Sequence, residues 1–335
     1  MTGNRHPIAF AALALLCSSL PVFAAATYTT FDPSGGVGTG TEPSSINDSG
    51  VVTGDYAYTD LQAHGFVRAA DGTITTFDPT GASSTLPTSI NAAGAIAGFY
   101  RDYSNGVHGF VRAADTTITA FDVPAASNGT YPESINRKGT IAGWYYDANY
   151  YGHGFVRAMD GTITTFDPAG ARGTTAYTIN SKGSIVGVYE DANGVHGFVR
   201  SADGTIATID VPNAIATLPI AIDDAGTSTG NYDDSHYLVH GFVRNTDGTF
   251  TTFERPRASE TMPWSINCKG KIAGYYTTGK NDNHGFARDA SGVITTFDVP
   301  QSYRTQPESI NDAGVITGKY RNRDSHAYIG FIRSP

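Results

Sequence analysis

The words HGFVRAADGTITTFDP begin at His64, return as HGFVRAADTTITAFDVP at His108, and return again as HGFVRAMDGTITTFDP at His153. Repetition of this kind limits the fold more than any composition does. A short unit cannot bury a core alone, so it must pack against copies of itself. The histidine phrase opens at His64, His108, His153, His196, His240 and His284, with a worn copy, IGFIRSP, from Ile329. A second phrase, TTFD or a variant, closes at Asp32, Asp78, Asp122, Asp167, Asp210, Glu254 and Asp298. A third, SINxxGxIxGxY, places Asn or Asp at Asn47, Asn91, Asn136, Asn180, Asp223, Asn267 and Asn311. Each phrase occurs seven times, with a period of 43 to 45 residues except for the 46 from Asp32 to Asp78.

Each unit reads as four strands: SIN, then AIAGFY (Ala95 to Tyr100), then GFVR, then TITTFD. Val, Ile, Thr, Phe and Tyr fill these runs, as strands prefer. NxxG and AADG between them are tight-hairpin chemistry. Four strands, about 44 residues and no helix per unit predict an all-β fold, a seven-bladed β-propeller of four-stranded antiparallel blades. A β-solenoid is the competing architecture, but it needs atypical capping repeats and neither end offers one. TYTTFDP from Thr27 is a fourth strand without the first three, and HAYIGFIRSP is a third without a fourth. The N-terminal strand is therefore expected to complete the last blade, from Ser309 to Arg333 plus Thr27 to Asp32, leaving no open edges.

Residues 1–26 read as a secretory signal peptide: Arg5 and His6, an apolar run from Ile8 to Val22, then Ala24-Ala25-Ala26. Residues 27–335 form the propeller. Loss of the leader removes Cys17 and leaves Cys268 as the one thiol, so no internal disulfide forms. The chain is 40% hydrophobic and 16% charged, with 39 glycines and a net charge of −9, about −10 once Arg5 is gone. That acidic balance argues against nucleic acid and anionic membranes as partners. The expected product is secreted, extracellular or periplasmic, a monomer, not inserted in a membrane after cleavage, and without a cofactor.

Repeat lengths separate two faces. The span from the SIN Asn to the Tyr ending the second strand is constant, and so is the span from each His to its closing acid; the other two connections vary. The variable loops should share one face, where recognition usually resides on a rigid scaffold. With Arg68 set opposite Thr73, His64 falls beside Phe77 and Asp78. Six such pairs, His64/Asp78 to His284/Asp298, read as hairpin clasps, because a metal or catalytic site needs convergence on one point. The Tyr ending each second strand reads as packing between blades.

SINDAGVITGKY and SINAAGAIAGFY…HGFVR resemble the HAF-type extracellular repeat, named for a His-Ala-Phe core beside INxxGxxxG. The resemblance covers the mature chain, but this sequence has His-Gly-Phe in all six copies and lacks the family's Trp and Leu-Gly phrase. It implies export and propeller-like repeats, and no known activity.

Function should lie where the sevenfold pattern breaks. A Pro usually precedes SIN by two residues, and the residue after it varies: Ser44, Thr88, Glu133, Tyr177, Ile220, Trp264, Glu308. Glu133, Tyr177, Trp264 and Glu308, with Trp144, Tyr150 and Tyr151 in a neighbouring loop, suggest a ligand-binding site at the channel mouth, with rings for stacking and acids for hydroxyl groups. The first reading is a non-enzymatic binding module for a carbohydrate or an extracellular protein. The alternative is a polysaccharide hydrolase or lyase acting through Glu133 and Glu308. Such carboxylates must stand about 5 to 10 Å apart, which opposite blades are expected to exceed. No nucleophile elbow, metal motif, phosphate loop or nucleotide fingerprint occurs. Calcium loops such as YRDYSNG lack the full oxygen set.

Overall fold

The computed structural model describes residues 26–36, 40–58, 62–279 and 282–335, and the expected leader lies outside them except for Ala26. All regular structure in the described residues is strand. After β1 (Thr27–Phe31), unit 1 comprises β2 (Gly40–Ile46), β3 (Val52–Ala57), β4 (Ala63–Arg68) and β5 (Ile74–Phe77). Unit 2 holds β6 (Ala82–Ile90), β7 (Ile96–Asp102), β8 (Val107–Arg112) and β9 (Ile118–Phe121). Unit 3 holds β10 (Thr130–Ile135), β11 (Ile141–Tyr146), β12 (Gly152–Arg157) and β13 (Ile163–Phe166). Unit 4 runs through β14 (Gly173–Ile179), β15 (Ile185–Glu190), β16 (Val195–Arg200) and β17 (Ile206–Ile209). Unit 5 is β18 (Ala216–Ile222), β19 (Ser228–Asp233), β20 (Val239–Arg244) and β21 (Phe250–Phe253). Unit 6 is β22 (Glu260–Ile266), β23 (Ile272–Thr278), β24 (Asp282–Arg288) and β25 (Ile294–Phe297). The chain ends with β26 (Ser302–Ile310), β27 (Ile316–Asn322) and β28 (Tyr328–Ser334).

Within each unit the strands pair antiparallel in chain order. β1 pairs with β28, Thr27 opposite Ser334 and Phe31 opposite Gly330. Single parallel bridges, such as Val195 with Ala216 and Gly40 with Tyr328, join a third strand to the next first strand. The first strands are longer than SIN. They start before the Pro and end at the Ile, and the Asn belongs to the following turn. Its Oδ1 organises that turn: Asn136 Oδ1 accepts from the amides of Lys138 and Thr140, both at 3.0 Å.

Packing repeats with the sequence. Phe66, Phe110, Phe155, Phe198, Phe242, Phe286 and Phe331 are fully buried, each worth roughly 1.5–3 kcal/mol in transfer terms. The fourth-strand Phe of one unit meets the buried Phe of the next edge-on, as in Phe77–Phe110 at 6.0 Å and Phe31–Phe66 at 5.8 Å. The third-strand Arg then covers the same ring, Arg112 over Phe77 at 5.0 Å and Arg68 over Phe31 at 5.3 Å. Amides stitch the first strands together. Asn47 Nδ2 donates to Asn91 O, Asn91 to Asn136, Asn136 to Asn180, Asn180 to Asp223, Asn267 to Asn311, and Asn311 back to Asn47, at 2.9–3.1 Å.

The outer hairpin register is one residue off the expectation: Arg68 faces Ile74, and Gly65 faces Phe77. That shift puts His64 opposite Asp78, and the clasp forms. His64 Nδ1 lies 2.8 Å from Asp78 Oδ2, and the other five pairs close within 2.8–2.9 Å, with Glu254 serving His240. The Tyr ending the second strand does two jobs. It joins the core between units, as Tyr145 does, and it packs on the clasp histidine, Tyr145 to His153 at 5.2 Å.

Candidate functional site

A β-bulge builds the site. In the first strand of every unit the register slips between the Pro, or Ala176 in unit 4, and the residue two places on. A bulge accommodates Pro and re-aims the extra side chain. The extra residue is the variable one, and these side chains meet on the axis. Ser44, Thr88, Glu133, Tyr177, Ile220, Trp264 and Glu308 line a single cavity of about 260 Å³. Four of the five expected site residues therefore converge, inside the axial cavity rather than at the outer end of a strand. In units 1 and 2 the bulged hydroxyls are used structurally: Ser44 donates to Pro87 O at 2.8 Å and Thr88 to Pro132 O at 2.9 Å.

Trp144 lies elsewhere than expected. It stands in β11, not in a loop, and it lines an adjoining depression of about 450 Å³ that shares Glu133 and Tyr177 with the axial cavity. Its indole Nε1 donates to Glu133 Oε1 at 2.9 Å, and its ring stacks on Tyr131 at 4.2 Å and 8°. Tyr146 stands edge-on to both rings and continues to Tyr150 at 6.1 Å. On the far side of Tyr146 a depression of about 510 Å³ opens between units 2 and 3.

Burial sets the electrostatics of the carboxyls. Desolvation pushes the Glu133 pKa up to about 7, against the Trp144 hydrogen bond, which lowers it. Glu308 is also raised to about 7 by burial, with Lys319 opposing and Glu42 adding to the rise. Lys319 Nζ sits 3.0 Å from Glu42 Oε2 and 3.9 Å from Glu308 Oε1. Burial disfavours the Lys319 ammonium, but Glu308 and Glu42 hold its pKa above the ordinary value. Asp55, opposite Glu42 across β2 and β3, is raised to about 7 by burial and by Glu42. Sequence reasoning missed Glu42, Asp55 and Lys319. They occupy two further columns of the repeat, two residues before the bulge and one before the second-strand Tyr. Those columns vary as freely as the bulge column does.

The opposite, tight-hairpin mouth is different. Arg137 reaches across it to Asp48 at 2.9 Å and Asp312 at 3.4 Å. Cys268 is exposed there, but burial of its thiol and Asp312 raise its pKa to about 11, which disfavours the nucleophilic thiolate. Among the described residues no group of three or more His, Cys, Asp or Glu is placed to hold a metal ion.

Solved structures place the fold. The chain is similar to virginiamycin B lyase from Staphylococcus aureus, with a TM-score of 0.63 and 14% identity over 92% of this chain and 99% of that one. It is similar to the β-propeller domain of the Trilobed protease from Pyrococcus furiosus, with a TM-score of 0.65 and 10% identity over 87% and 95%. It is also similar to TolB from Acinetobacter baumannii, with a TM-score of 0.52 and 12% identity over 81% and 76%. The fold is a β-propeller. No family model matches the sequence, and no curated protein does.

Proposed function

We propose that the protein is a seven-bladed β-propeller, closed by β1 as the fourth strand of the last blade, that acts outside the cytoplasm as a monomeric binding module for a glycan. On this reading residues 1–26 are a cleaved secretion leader and the repeats are of the HAF type. Closure is supported by the β1–β28 pairing, by Arg68 on Phe31, and by Asn311 returning its amide to Asn47. One observation carries the binding reading. The single bulged residue of each first strand, constant in position and varied in chemistry, delivers Glu133, Tyr177, Trp264 and Glu308 to one cavity. Aromatic faces beside carboxyls suit a sugar, whose ring stacks while its hydroxyl groups donate and accept.

A glycan array with the wild type and Trp264→Ala tests this reading. Selective signals that Trp264→Ala removes, in a variant that keeps its fold, are the expected result. No signal, or equal signals from both proteins, would sink it. A second reading, polysaccharide hydrolase or lyase, is favoured by the pKa of about 7 on both Glu133 and Glu308. A carboxyl near that value can protonate a glycosidic oxygen while a second carboxylate serves as base or nucleophile. Release of reducing ends that Glu133→Gln and Glu308→Gln abolish would select that reading.

A further inference from the structure

Beyond the axial cavity, one cross-strand pair breaks the pattern of the repeat. At the loop end of the first two strands the facing residues are Gly40 and Ala57, Ser84 and Arg101, Gly173 and Glu190, Ala216 and Asp233, and Glu260 and Thr277. Each pair carries at most one charge. In the last unit the pair is Arg304 and Arg321. Like charges directly opposite across an antiparallel pair repel. Among the described residues no carboxylate forms a salt bridge with either arginine, although the protein carries a net charge of −9.

The surroundings hold these guanidiniums in place without neutralising them. Arg321 Nε donates to His326 O at 2.9 Å, and its guanidinium lies over the Tyr303 ring at 5.3 Å and the Tyr328 ring at 5.8 Å. Arg304 Nη1 donates to the Tyr328 hydroxyl at 3.4 Å, while its Nε is buried with no partner. Arg323 stands beside them, its Nε on Ser302 O at 2.9 Å. Tyr328 also receives Lys319 over its ring at 5.5 Å, and Lys319 contacts Glu308 at the axial cavity. Rings and cations thus run from the arginine pair to the axis.

We propose that Arg304 and Arg321 form an anion subsite that takes the carboxylate of an acidic polysaccharide, a uronate-type chain whose neighbouring sugar lies on Tyr328 toward the axial cavity. The saccharide assignment rests on the glycan reading above; the anion subsite does not. A guanidinium pair matches a planar carboxylate through paired N–H donors. One local charge pair flanked by rings fits a chain with one charge per sugar. A nucleic acid would need an extended basic stripe, which one arginine pair with Arg323 and Lys319 does not supply.

Calorimetric titration of the full chain with tetragalacturonate tests the proposal, against neutral cellotetraose and a short oligodeoxynucleotide, for wild type, Arg304→Gln and Arg321→Gln. Inorganic sulfate against chloride at matched ionic strength, read as a melting-temperature shift, forms a second arm. The expected result is salt-sensitive binding of the uronate, weakened at least tenfold in both variants, with their sulfate-specific stabilisation lost. Uronate binding unchanged in the variants, or matched by cellotetraose or the oligonucleotide, would overturn it. If no oligosaccharide binds but the sulfate effect vanishes in the variants, the anion subsite stands and the glycan reading falls. If sulfate stabilises all three proteins equally and only cellotetraose binds, the subsite falls and the glycan reading stands. Neither variant removes a buried apolar contact. Should Arg321→Gln fail to fold, Arg304→Gln, which gives up a single contact to the Tyr328 hydroxyl, decides the matter.

Discussion

The two ends of the propeller axis are built from the same strands and follow opposite rules. At the tight-hairpin end the units repeat one solution: an Asn that caps its own turn and reaches the next unit, with a neighbouring Ser that accepts the next unit's Ile amide, as Ser45 does for Ile90 and Ser89 for Ile135. Three residues back along the same strands, in the axial cavity, the bulged residue changes from Ser to Glu to Trp. Uniformity marks the end that assembles the units. Variety marks the cavity to which the proposed function assigns recognition, and on that proposal substitutions should divide accordingly between stability and binding.

The harshest test falls on Gly143, just beneath the bulge of unit 3. A Cβ there would collide with Tyr131 O and Pro132 Cα, both backbone atoms. Gly143→Ala should cost several kcal/mol, about 3 or more, because backbone in a sheet yields little. Denaturant unfolding checks this. A loss below about 1 kcal/mol would show that the bulge is soft and that the axial cavity is not held rigidly by the strands around it.

Glu133→Gln separates the ends by pH. The folded pKa of about 7 lies above the ordinary value of 4.5, so between these the native state holds more protons than the unfolded chain. Stability from this group is complete below about pH 4.5 and declines as pH rises toward 7. The shift corresponds to a loss on the order of 3 kcal/mol. Glu133→Gln should remove that share of the decline and leave the shares from Glu308 and Asp55. Unfolding curves of wild type and variant that stay parallel from pH 4.5 to 7.5 would refute it.

The tight end also contains a flaw that sharpens the comparison. Unit 5 has Asp223 where the other units have Asn, and Ala221 where most have Ser. Asp223 Oδ1 still accepts from the amides of Gly226 and Thr227 at 2.8 Å. It has no amide to give to Asn267 O, which therefore receives only the turn bond from Gly270. Unit 5 also buries Ser228 at 1% exposure where other units place Ile or Val, and its Oγ has no partner. On the other side, Ile209 replaces the Phe that would meet Phe242 and carry Arg244. Asp223→Asn keeps the size, adds a donor and should stabilise by about 1 kcal/mol, with no change in ligand binding. A neutral or negative change in melting temperature would mean the units do not depend on the amide chain.

The sequence made the uniform end readable and the varied end only partly so. Turn residues, strand runs and the fourteen-residue spacing from His64 to Asp78 recur, so seven copies act as seven measurements of one geometry. The bulge could not be read this way. It shifts register within a strand, and SIN alone gives no sign that the strand begins earlier. Missing the bulge hid the Glu133–Trp144 hydrogen bond, since that contact depends on which residues face each other across β10 and β11. Glu42, Asp55 and Lys319 were missed for a related reason: columns without a constant residue look like noise. Aligning the seven copies and selecting the most varied columns, rather than the most constant, would have found them.

The smallest test uses a departure from uniformity at the tight end that does not touch the axis. Thr116 adopts φ 76 in the turn after β8, where Gly72, Gly161, Gly204, Gly248 and Gly292 stand in other units at φ 89 to 97. A β-branched residue in the left-handed region costs roughly 1–2 kcal/mol. Glycine there gives back roughly 0.5–1 kcal/mol through the greater freedom of the unfolded chain. Thr116→Gly should therefore stabilise by about 0.5–1 kcal/mol, close to the resolution of an unfolding experiment and below the expectation for Asp223→Asn. The turn is exposed and far from Glu133, so ligand affinity should not move. If it did move, assembly and recognition would be coupled through the strands, and the division between the two ends would fail at its least demanding point.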